Sequence, residues 1–146
     1  MRVYFAAAIT SPSRNVAIAA ALVDWLEAHG HIVPTRHIAS PDARGLDRSL
    51  TDGELAQRDL GWIAASDALV AEVSTPSHGV GIEVAAALGH RLPVLLLHHE
   101  EAPVSRLLLG LEGVEKRTYS SAAEALRHLQ TFLGNVGAQT PITSQR

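Results

Sequence analysis

Two acids stand where the helical pattern calls for apolar side chains. Asp59 lies four residues after Leu55, three after Ala56, three before Trp62 and four before Ile63, in the middle of the apolar stripe of its own helix. An acid aimed inward must be hydrogen-bonded, paired or functional. Glu83 is the sole acid between Glu72 and Glu100, three residues after Val80 and shortly before Ala86 and Ala87. Each has a plainer reading: Asp59 as a rim acid capping a neighbouring loop, and Glu83 as an N-terminal acid favoured by the helix dipole. Two inward carboxylates on consecutive helices are less easily explained as structural than either one alone.

Ser74-Thr75-Pro76-Ser77-His78-Gly79-Val80-Gly81 leads into the Glu83 helix. Free N–H groups and hydroxyls at a helix start make an anion site. Gly79-Val80-Gly81 is not a dinucleotide fingerprint, because the third glycine position is Val84 and the segment comes late in the fold. A phosphoreceiver site would need acids where the chain has Ala6-Ala7-Ala8. His98-His99-Glu100-Glu101 offers metal-ligating types but reads as a solvated loop, so no metal is assigned.

These residues need elements to hold them. Arg2–Ala8 reads as a first strand, and Arg14–His29 as a helix closed by Gly30. His31–Val33 reads as a second, short strand, and Ile38–Ser49 as a mobile loop. Thr51-Asp52-Gly53-Glu54 is a capping box that starts a helix running to about Ser66. Ala68–Val73 is a strand apolar enough to be covered on both faces. Gly79–His90 is the next helix, Pro93–Leu97 the next strand, and Pro103–Gly110 has room for one or two helical turns. Val114–Tyr119 is a last strand, and a second capping box at Ser121 opens a helix to Leu133. The alternation predicts one α/β domain over residues 1–134: an open, parallel, five-stranded sheet with helices on both faces, flavodoxin-like, with 135–146 as a disordered tail. Ligands of such sheets bind beyond the carboxyl ends of the strands, where Ala6–Ser13, Pro34–Ser40, Ser74–Gly79 and His98–Arg106 fall.

Composition narrows the function classes. With 47% apolar and 18% charged residues, the 146-residue chain can bury a core. Its net charge of −3 argues against nucleic acid or an anionic membrane surface as partner. Without cysteine it has no disulfide scaffold, thiolate metal site or cysteine nucleophile. Its apolar runs are far shorter than the roughly 18 residues of a membrane span, and no signal peptide is read at Val3–Ile9. A cytoplasmic location is the expectation.

The strings Val3-Tyr4-Phe5-Ala6, Gln57-Arg58-Asp59-Leu60-Gly61-Trp62, Ala65–Val73 and Pro76-Ser77-His78-Gly79-Val80-Gly81-Ile82-Glu83 resemble the 2′-deoxynucleoside 5′-monophosphate N-glycosidases of the nucleoside 2-deoxyribosyltransferase superfamily. The resemblance runs from residue 3 to about residue 133. It implies that Glu83 is the nucleophile at the anomeric carbon, and that Asp59 and Tyr4 position and polarise the substrate. It also implies that Ser77 and Gly79 bind the 5′-phosphate, that Ser105 reaches that phosphate from a neighbouring subunit, and that His37 lies near the base. After the first strand the family carries a Gly-Ser-Ile-Arg stretch whose Ser and Arg hold the phosphate. Here Ala7-Ala8-Ile9-Thr10 occupies it, with Ala8 in place of the hydroxyl and Thr10 in place of the cation, and Ile9 and Thr10 are the implied substrate-binding residues. Ser11, Ser13, Arg14 and Arg106 are the candidates to compensate. The implied activity is hydrolysis of a deoxynucleoside monophosphate to free base and deoxyribose 5-phosphate, with no cofactor. Deoxyribosyl transfer on unphosphorylated nucleosides and non-catalytic nucleotide binding are the rivals. The apolar run Val104–Leu109 adds the expectation of a homodimer with shared active sites.

Overall fold

The computed structural model describes residues 1–139; residues 140–146, the end of the predicted tail, lie outside it. Four parallel strands, β1 (Val3–Ala7), β2 (Ala68–Glu72), β3 (Val94–His99) and β4 (Val114–Tyr119), pair in the order β1-β2-β3-β4. On one face lie α1 (Val16–Ala28), a 3₁₀ turn (Arg36–Ala39) and α5 (Ala122–Gln139). On the other lie α2 (Asp52–Ala64), α3 (His78–Gly89) and the short α4 (Arg106–Leu109). The three-layer α/β architecture is as expected.

The sheet has four strands and not five. His31–Val33 contributes only one parallel bridge, Arg2 with Ile32. Gly30, at φ +78°, reverses the chain just before it, and Pro34 follows without an N–H to extend a ladder. Ile32 therefore donates to Met1 O at 2.9 Å and accepts from Val3 N at 2.8 Å, and pairing stops there. The helix after β4 departs in the opposite sense. It passes Leu133 and continues to Gln139, because Val136 extends the buried stripe of Leu129, Phe132 and Leu133.

Local signals set the helix starts. Asn15 accepts from Ile18 N at 3.1 Å to cap α1. Thr51 and Glu54 form the complete reciprocal box at α2. Ser77 caps α3, accepting from Val80 N at 3.4 Å. The segment read as a mobile loop is instead anchored: Ala43 is buried, and Arg14 donates to the carbonyls of Ile38 (3.1 Å) and Ser40. The buried hydroxyl of Thr35 joins this segment to β1, accepting from Phe5 N at 3.0 Å and donating to Phe5 O at 2.7 Å.

Candidate active site

Alternation along β1 sends Phe5 towards α1 and α5, and Tyr4 towards α2 and α3. Tyr4 is fully buried, and its phenol donates to Glu83 Oε1 at 2.5 Å. Glu83 lies in the second turn of α3, above the carboxyl end of β2, the position the parallel-sheet rule reserves for ligands. Burial pushes the Glu83 carboxyl up to about 7; the nearby charge of Asp59 pushes the same way, and the Tyr4 hydrogen bond opposes both. Burial, Glu83 and Asp59 hold the Tyr4 phenol far above its ordinary range, so it remains a donor at neutral pH.

Asp59 does not stand alone on α2. Arg58 Nε donates to Asp59 Oδ1 at 2.9 Å, with the terminal nitrogen 2.8 Å from the same oxygen. That terminal nitrogen also lies 2.9 Å from Asp47, delivered by the turn-rich segment after the 3₁₀ turn. The guanidinium sits 4.6 Å from the centre of the Trp62 ring, one helical turn away. His37 approaches Asp47 at 3.8 Å and tilts against Trp62, with ring centres 6.2 Å apart. Burial pulls the His37 pKa down and Arg58 adds to this, against the opposing pull of Asp47 and Asp59, which favours neutral imidazole at pH 7. The structure thus brings Tyr4, Glu83, Asp59 and His37 into one linked cluster, and adds Arg58, Asp47 and Trp62. An Arg next to an inward Asp, with an aromatic residue four positions on, was a readable signal. Asp47 carried none, since only the loop fold brings it in.

The predicted anion positions are less uniform. Ser77 and Gly79 stand at the N-terminus of α3. A Cβ on Gly79 would touch only Ser77 Oγ at 3.8 Å, so internal packing does not demand glycine there. Thr10 is exposed, Ala8 is buried, and the partly buried Ile9 side chain packs against the α1/α5 core. Arg14 is committed to the carbonyls of Ile38 and Ser40 and is not a spare cation. Arg106 opens α4, exposed and without an ion pair among the described residues. Ser105, also exposed, precedes it and makes no capping bond with its side chain.

His98 and His99 end β3 instead of lying on a loop. His98 Nδ1 is 3.0 Å from His99 O, and the His99 ring meets Tyr119 edge-on. A polar knot closes the end of the apolar strand β2. Buried Glu72 accepts from Ser74 N at 3.2 Å, from Ser74 Oγ and from Tyr119 Oη at 3.0 Å, while Ser74 Oγ accepts from His99 N at 2.8 Å. It ties the carboxyl ends of β2, β3 and β4 below the turn that leads to Ser77. An acid inside an otherwise apolar run was the available signal.

Comparison with known proteins bears on the family of the chain. The family model for nucleoside 2-deoxyribosyltransferase matches residues 3–135. A Thermofilum pendens protein named "Putative 2'-deoxynucleoside 5'-phosphate N-hydrolase 1" is 35% identical over 144 residues, covering 95% of this chain and 100% of the relative. A 5-hydroxymethyl-dUMP N-hydrolase of Esox lucius is 36% identical over 101 residues, 66% of this chain and 68% of the relative. Among solved structures, the solution structure of BlsM superposes with a TM-score of 0.75 at 22% identity, covering 99% of this chain and 97% of that one, a likeness of fold.

Proposed function

The chain belongs to the nucleoside 2-deoxyribosyltransferase family, and from that membership we propose that it is an N-glycosidase hydrolysing 2′-deoxynucleoside 5′-monophosphates. The observation that carries the reading is the Tyr4–Glu83 hydrogen bond of 2.5 Å, set at the ligand end of the sheet beside the start of α3. Breaking the bond from C1′ to the base nitrogen sends its electron pair to the base and leaves oxocarbenium character on the sugar. A Glu83 carboxylate stabilises that charge and closes onto C1′ as an ester. Tyr4 donates to Glu83 and orients it, while Asp59 serves the proton transfers that let the base leave and water enter. Water then attacks C1′, the ester bond to Glu83 breaks, and deoxyribose 5-phosphate is released.

The phosphate would lie against Ser77, the N–H groups near Gly79 and the positive end of the α3 dipole. A fixed guanidinium there would add about 1.5–3 kcal/mol, and Thr10 replaces it with one hydroxyl. The expected outcome is a kcat/KM ratio, monophosphate over matching nucleoside, that exceeds one but falls roughly 10- to 100-fold short of relatives that keep the Arg. Product analysis without an acceptor base should yield free base and deoxyribose 5-phosphate. The second reading is deoxyribosyl transfer on unphosphorylated nucleosides. It draws support from buried Ala8 and from the commitment of Arg14 to backbone carbonyls. A ratio at or below one, with transfer when an acceptor base is added, would replace the first reading with the second.

The active unit we propose is a homodimer formed through the α2/α3/α4 layer. Leu107 is 78% exposed, Ile82 63% and Leu60 43%, all on that layer. Ser105 stands beside Leu107 with a side chain that caps nothing, available to a neighbouring subunit's phosphate site. Sedimentation at micromolar concentration should give a dimer. Leu107→Asp should give monomers and cut kcat/KM for the monophosphate by at least tenfold, about the worth of one charge-assisted hydrogen bond. Fully active monomers would remove Ser105 from the site.

A further inference from the structure

We propose that Arg58 is a positioning residue for the carboxylate pair Asp59 and Glu83: its guanidinium fixes Asp59 and offsets its charge beside Tyr4 and Glu83, while Asp47, from the segment that leads into α2, pairs with that guanidinium. The proposal rests on the reading of Glu83 as nucleophile. Arg58 makes its two contacts to Asp59 Oδ1 at 2.8 and 2.9 Å and one to Asp47 at 2.9 Å, with Trp62 beneath it at 4.6 Å. The side chains of Arg58, Asp59 and Asp47 are 19%, 20% and 13% exposed, so the charges are shielded from water and the pairing holds geometry more firmly than a surface bridge. The loop supplying Asp47 is itself pinned by Arg14 through the carbonyls of Ile38 and Ser40 and by buried Ala43. A planar fork that contacts two carboxylates and lies over an indole is a task lysine cannot perform.

The charge argument follows from the neighbours of Glu83. Tyr4 faces it from β1, and from α2 Asp59 acts on both Glu83 and Tyr4, while Arg58 acts on Tyr4 and is paired with Asp59. Glu72 of β2 points to the other face, held by Ser74 and Tyr119, and His98 of β3 lies against the His99 carbonyl. Asp59 makes ionisation of Glu83 harder, and Arg58 screens it. Neutralising Arg58 therefore unmasks Asp59, and the pH at which Glu83 becomes an ionised nucleophile moves upward.

The experiment is the pH profile of kcat/KM, taken on whichever of dAMP, dGMP, dCMP and dTMP is turned over best. In Arg58→Met the limb that rises with pH should move to higher pH, and kcat should fall by about 10- to 100-fold. Arg58→Lys keeps the charge and loses the fork, so its kcat should fall while the limb stays with the parent. Asp47→Asn should lower kcat with KM within about twofold of the parent, because the lock and not the substrate contact is lost. Should Arg58→Met not fold, the Lys and Asn variants decide: reduced kcat in both supports the assignment, and parental kcat in either overturns it. A folded Arg58→Met with the parental limb also overturns it. An active Glu83→Gln would overturn the nucleophile reading and this inference together, whereas an inactive Glu83→Gln beside an unmoved Arg58→Met limb removes the role of Arg58 alone.

Discussion

Glu83→Gln should fold, bind the nucleotide and lose kcat by a factor on the order of 10³ or more, the size expected when a nucleophile is replaced by a near-isostere. The amide keeps the volume and one carbonyl to accept from Tyr4, so the cost falls on the chemical step. Stability offers an independent check. With its carboxyl pushed up to about 7 by burial, Glu83 binds a proton more tightly folded than unfolded. The folded state therefore loses stability at this position as pH rises from the ordinary carboxylate range to about 7. Glutamine carries no such loss, so the variant should gain in Tm relative to the parent at pH 8 and show no such gain at pH 4. Parental turnover in a folded Glu83→Gln protein would exclude Glu83 as nucleophile. Equal Tm differences at both pH values would mean that the carboxyl is not desolvated in the way its burial implies.

Asp59→Asn should cost about 10²-fold in kcat if Asp59 carries the proton transfers. The same substitution removes a negative charge that raises the Glu83 pKa. The limb of kcat/KM that requires ionised Glu83 should therefore shift to lower pH even as the maximum falls. Loss of rate together with a downward limb is a signature that lost substrate affinity cannot imitate. A variant that raises KM alone, with kcat and limb unchanged, would place Asp59 in binding only and favour the nucleotide-binding module over the enzyme.

How far such residues can be read from sequence depends on the range of the interactions that place them. Asp59 and Glu83 were legible because helical periodicity is local: a residue three or four positions from apolar neighbours shares their face whatever the rest of the chain does. The start of α2 was legible for the same reason, since Thr51 with Glu54 satisfies N–H groups within one turn; the Asn15 and Ser77 caps of α1 and α3 emerge from the structure. Tyr4 entered through the resemblance, because one tyrosine in an apolar strand is as well a core residue as a donor. Its bond to Glu83 joins residues 79 positions apart.

The misreadings have the same origin. His31–Val33 has strand-like residues, but a strand exists only by pairing, and Gly30 and Pro34 leave room for one bridge. The segment after Ile38 is rich in turn residues and reads as mobile. Arg14, distant in sequence, is what anchors it, and the anchoring that brings Asp47 to Arg58 takes the same Arg14 away from any phosphate.

By itself, the sequence determined the α/β alternation, the capping box that starts α2, the two inward acids and the small-residue turn at the start of α3. Those features follow from periodicity and from hydrogen bonds closed within a few residues. Only the tertiary structure decided that the sheet has four strands, that Glu83 is desolvated against Tyr4, and that Asp47 is brought up against Arg58. Those outcomes depend on which distant groups share a buried space, where a carboxylate must find a partner or give up its charge, and no local pattern encodes that choice.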